Sequence, residues 1–150
     1  MGRNDLDPDA MIRQRFVIDR YDWEVTVFYA VDCYYVTEII AEMKRIGCSR
    51  DKLRIAYENI AACKLDTGVT YSNYRSRQTI MVIGLTSSAK EFMNSLDHER
   101  KHLEAHIAKA LHINPWGEEI CYLSGEIGER MFPVAKKFLC DRCRKKLCGR

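Results

Sequence analysis

The stretch that most constrains this chain runs from Ser88 to Leu111. Phe92, Leu96, Leu103, Ile107 and Ala110 recur at helical spacing and give one long helix an apolar stripe. A single charge interrupts the stripe: Glu99 stands three residues after Leu96 and four before Leu103. A carboxylate facing a core is unfavourable unless something compensates it. Any fold built on this helix must therefore supply Glu99 with a partner, and a metal ion carrying water is one such partner.

The flanking residues give that idea a chemistry. "HERKH" spells H-E-x-x-H, with His98 and His102 on either side of the pattern. Residues four apart on a helix lie nearly above one another, about 6 Å apart along the axis, so both imidazoles can point at one tetrahedral ion. Glu99, about a third of a turn away, can reach a water on that ion. Zinc lowers the pKa of such a water and the carboxylate takes its proton. The competing interpretation is a solvated helix that happens to be rich in His and Glu. His106 continues the four-residue spacing, but it lies about 12 Å from His98 along a straight helix, too far to share an ion. It is expected to support the site or to pack. His112 falls near the helix end, where a cation is favourable.

The rest of the chain reads as strand, helices, strand, long helix and shorter helix, which is an α+β domain. "WEVTVFYAV" (Trp23 to Val31) alternates and is β-branched and aromatic, as a strand requires. "YVTEIIAEMKRI" and "SRDKLRIAYENIAACKL" have helical spacing, the second with Ser49 or Asp51 as a possible cap. "DTGVTYSNYRSR" is polar and turn-rich. "QTIMVIGL" (Gln78 to Leu85) is a short buried strand. "INPWG" breaks the long helix, and Pro115 suits the first turn of a second helix reaching about Phe132. Residues 1–139 are expected to form one domain, and 140–150 a loosely ordered basic tail.

A third ligand is sought on the second helix. Glu118 and Glu119 lie sixteen and seventeen residues after His102, a gap that lets the chain double back. Both carboxylates would also favour a helix N-terminus with no metal at all. On spacing, Tyr122 and Leu123 are expected to pack this helix against the long one, with Arg100, Lys101 and Glu104 facing outward.

At this point the sequence resembles a family. The pattern is that of gluzincin-type metallopeptidases, and more closely of small zincin-like proteins of bacteria, phages and mobile elements. "TGVTYSN", "TIMVIGL", "HERKHLEAHI" and "GEEICYLSGEI" occur in the order and spacing of those proteins, over about Asp66 to Phe132. The resemblance implies a minimal zincin-like domain, a small sheet packed on the H-E-x-x-H helix and on a following glutamate-bearing helix. It implies Zn²⁺ held by His98, His102 and Glu118, with Glu119 as the alternative ligand and Glu99 as general base. Tyr122 takes the place where larger gluzincins often carry an acid that orients a ligand histidine. The implied activity is hydrolysis of peptide bonds in a peptide or protein substrate, with Tyr71 and Tyr122 as weak candidates for oxyanion stabilisation. The alternative is a zinc-binding structural or interaction module, phage-related, without turnover.

Composition narrows the setting. A net charge of +3, much of it in the tail, gives little reason to expect nucleic acid. No apolar run is long enough to cross a membrane. The polar start "MGRNDLDPDAMIRQRF" resembles neither a secretory signal nor a myristoylation site, so a cytoplasmic location is expected. The seven cysteines are then expected to be mostly reduced, with Cys33, Cys48, Cys63 and Cys121 as small core residues. Cys140, Cys143 and Cys148 in the tail are a weak candidate for a second metal site.

Overall fold

The computed structural model describes residues 12–32 and 35–148. Cys33 lies outside the described residues, as does the side chain of Cys148. The chain is α+β. Strands β1 (Ile12–Ile18) and β2 (Trp23–Val31) are followed by helices α1 (Val36–Arg45) and α2 (Arg50–Ala61). Strands β3 (Gly68–Asn73) and β4 (Gln78–Gly84) come next, and then helices α3 (Ala89–Leu111), α4 (Glu118–Ala135) and α5 (Asp141–Cys148). The four strands form one sheet in the order β1-β2-β4-β3, with β2 and β4 parallel and the two outer pairs antiparallel.

The sheet is covered on both faces, which explains why β2 and β4 are apolar nearly throughout. Trp23, Val25, Val27 and Tyr29 of β2, with Met81 and Ile83 of β4, pack against Phe92, Leu96, Leu103 and Ile107 of α3 and Leu123, Ile127 and Met131 of α4. Phe28, Ile80 and Val82 point the other way, onto Ile39 and Met43 of α1 and Ala56 and Ile60 of α2. Val31 joins this second cluster although strict alternation would put it in the first. The register against β4 shifts between Phe28 and Val31, and Ala30 there has φ 54°. The extra residue is a β-bulge that turns Val31 over.

Two strands lie where the sequence suggests none. β1 carries Arg13, Gln14 and Arg15, a poor strand signature. It works as an edge because its polar groups find partners: Arg15 Nε donates to Thr26 Oγ1 at 3.1 Å, and Arg13 and Arg15 both reach Glu42. β3 falls inside the turn-rich "DTGVTYSNYRSR". Only its last four residues turn, where Asn73 Oδ1 accepts from the backbone N–H groups of Arg75 and Ser76.

The second helix begins at Glu118, after Pro115 rather than at it, and continues through Pro133 to Ala135. The expected loose tail is also corrected. Helix α5 docks at the start of α3, where Asp141 Oδ1 accepts from Ala89 N at 2.7 Å. The buried Arg144 guanidinium donates to Thr86 O and Ser87 O at 2.9 and 2.6 Å. Together with the Ser88 side chain, which accepts from Glu91 N, these contacts satisfy the exposed amides and carbonyls at the α3 entry. Arg144→Ala should lower unfolding free energy by roughly 2–3 kcal/mol, because two charge-assisted bonds from a buried guanidinium are lost. Urea denaturation would show this as a lower midpoint at an unchanged slope.

Candidate metal centre

The site is built around Glu99, which is 2% exposed near the middle of α3. Its partner is the edge strand. Thr67 Oγ1 donates to Glu99 Oε2 at 3.4 Å, and Thr70 Oγ1 lies 3.3 Å from Oε1 and 3.4 Å from the Glu99 backbone oxygen. Burial pushes the Glu99 carboxyl above its usual range. The charges of His102 and His98 and the two threonine hydroxyls oppose that shift. Gly68 makes the approach possible: a Cβ there would lie 1.8 Å from the Val82 carbonyl oxygen and 3.1 Å from Glu99 Cγ.

One helical turn brings His102 back to His98. Their Nε2 atoms are 3.2 Å apart, and both side chains are exposed. Two nitrogens bound at about 2.0–2.1 Å to one tetrahedral zinc would be roughly 3.3 Å apart. The pair thus has the separation that two ligands of one ion need. Ligand atoms of His98, Glu99 and His102 all lie within 4.8 Å of one another. Among the described residues this is the only such group of His, Cys, Asp or Glu side chains.

His106 sits one turn further, half-buried, its ring centroid 6.3 Å from that of His102. It is fixed from behind by a chain of hydrogen bonds. Trp23 Nε1 donates to Thr79 Oγ1 at 2.8 Å, Thr79 bonds Ser72 Oγ at 2.7 Å, and Ser72 bonds His106 Nδ1 at 2.8 Å. Burial holds its pKa down, with the nearby charges of His102, Lys52 and Lys109 acting in the same direction. His106 therefore takes a supporting position beside the pair.

The structure does not bring Glu118 or Glu119 to the histidines. The reason is the geometry of α3. Arg100 faces α4, its Nη2 donating to Ser124 O at 3.0 Å. A helix turns about 100° per residue, so His98 and His102 lie exposed on the flank opposite Arg100. Helix α4 packs on the Arg100 flank and on β1. Glu119 is instead engaged by Tyr21 Oη at 2.7 Å and by Arg20 at 3.9 Å.

The surrounding packing corrects other expectations. Leu123 is buried as expected, but Tyr122 is 64% exposed and packs no helix pair. Lys101 faces outward, whereas Arg100 is half-buried and Glu104 is 7% exposed. Among the cysteines, Cys48 is buried, Cys121 is exposed, and Cys63 is exposed and disulfide-bonded. Cys63 and Cys121 thus lie outside the core expected for them, while Cys48, Cys121, Cys140 and Cys143 are free thiols. Cys140 and Cys143 are free and exposed where α5 begins. Hydrogen bonds from the Cys143 backbone and thiol hold the Cys140 thiol below its usual range. No helix among the described residues is long and apolar enough to cross a membrane.

Thr67 and Thr70, which hold Glu99, and Ser72, which holds His106, are faint in the sequence. Their signal was the alternation of hydroxyls at Thr70 and Ser72, which places both on one face of a strand. No family model, curated protein or solved structure matches the chain. Gly68→Ala should destabilise the protein by about 1–3 kcal/mol, through overpacking against a backbone carbonyl. Thermal unfolding compared with the wild type measures this directly.

Proposed function

We propose that the protein is a zinc-dependent hydrolase of peptide bonds, with His98 and His102 as metal ligands and Glu99 as general base. The observation that carries this reading is the exposed imidazole pair, 3.2 Å apart, beside a buried carboxylate within 4.8 Å. Bound there, zinc would polarise the scissile carbonyl and make water acidic enough to attack at neutral pH. Glu99 accepts the proton of the attacking water and returns it to the leaving amine. Thr67 and Thr70 hold the carboxylate in place, and the α3 backbone holds both imidazoles on one flank. With Glu118 outside the cluster, the remaining coordination positions are left to water and substrate.

That open arrangement favours an enzyme over a structural module. Structural zinc sites are closed by four protein ligands, whereas catalytic sites keep a position free. A structural role would also give Glu99, buried at the centre of the helix, nothing to do beyond ligation.

Two substitutions separate these roles. Purified wild-type protein should contain zinc, and His102→Ala should lose it. Glu99→Gln should retain zinc while hydrolysis of a peptide library falls by a factor on the order of 10²–10⁴. Metal analysis beside turnover gives both readouts. Cleavage unchanged in Glu99→Gln would remove the mechanism, and a wild type without zinc would remove the site.

A further inference from the structure

Beside the histidine pair lies a cavity of about 590 Å³ between α2, β3 and α3. It shares three residues with the site: Thr70, which holds Glu99, Ser72 and His106. Its walls are apolar and aromatic at Met43, Ile55, Ala56 and Val69 and at Tyr71 and Tyr74. Two ammonium groups enter it from separate elements, Lys52 from α2 and Lys109 from the last turn of α3.

Among the described residues neither lysine forms an ion pair with a carboxylate, although eight ion pairs form elsewhere there. Lys52 Nζ rests instead over the Tyr71 ring, 5.5 Å from its centroid. Among the described residues no Asp or Glu lines the cavity. Lys52, Lys109 and His106 line the same space. A half-enclosed space with two cations and no anion is complementary to a carboxylate, and its field is focused by the low-dielectric walls.

We infer that this cavity is a substrate subsite selective for an acidic side chain, with Lys52 and Lys109 as its specificity-determining residues. The inference rests on the hydrolase reading for its adjacency to the reacting bond. A glutamate suits this lining, with a methylene stem for the apolar wall and a carboxylate for the ammonium groups. The volume accommodates such a side chain together with the neighbouring stretch of peptide.

The test is binding to the full-length protein stripped of metal by chelation, so that it does not depend on zinc or on turnover. The probes are acetylated, amidated alanine-glycine nonapeptides with one Glu walked along the sequence, each paired with its Gln counterpart. A third set carries Gln and a free C-terminal carboxylate. In titration calorimetry, Glu peptides should bind roughly tenfold tighter than Gln peptides at low salt, as expected for a charge-assisted contact. The preference should shrink with added salt and vanish in Lys52→Gln/Lys109→Gln. Equal binding of Glu and Gln peptides, or no binding of either, would overturn the inference. So would a preference that survives in the double variant, or free-carboxylate peptides that bind as tightly as the Glu peptides. A Glu preference in a protein that holds no zinc and cleaves nothing would leave the subsite standing and remove the hydrolase reading alone.

Discussion

The placement of one carboxylate organises this molecule. Glu99 lies inside the apolar stripe of α3, and an ionised carboxyl there needs donors. Thr70 of the edge strand β3 and Thr67 just before it supply them. That requirement fixes the rotation of α3 against the sheet. Once Glu99 faces β3, His98 and His102 emerge on the open flank, Arg100 and Leu103 face α4 and the core, and His106 meets Ser72. The absence of a side chain at Gly68 is part of the same constraint, since any Cβ there would collide with β4 and press on Glu99.

The division of α3 into two flanks also decides which chemistry is available. Gluzincin-type sites need a carboxylate from the following helix. Here that helix is committed to the opposite flank through Arg100 and Ser124, and its N-terminal acids face Tyr21, Arg20 and solvent. What remains is an exposed imidazole pair with a buried acid behind it. Such a site is open to water and to a ligand approaching along β3, where the lysine-flanked cavity also opens.

The parts of the fold that depend on apolar periodicity were legible in the sequence. β2, β4 and α3 follow it closely, because each buries a long continuous face. β1 and β3 were hidden because edge strands need only one half-buried side and tolerate arginines, threonines and asparagine. α5 was hidden for another reason: its attachment is made by one buried arginine and one aspartate rather than by an apolar stripe. At the site, H-E-x-x-H located the cluster, since the i,i+4 geometry of a helix is local. The position of Glu118 was not local. It depends on which flank of α3 the next helix takes, and a spacing of sixteen residues permits either.

The most direct measurement is zinc-edge X-ray absorption on the zinc-loaded protein, because it reports ligand type without reference to any substrate. Two imidazole nitrogens are expected at about 2.0–2.1 Å, with oxygen completing the shell. The imidazole signal should disappear in His98→Ala. A shell containing sulfur at about 2.3 Å would place the metal on cysteines and contradict the account, as would failure of the protein to take up zinc at all.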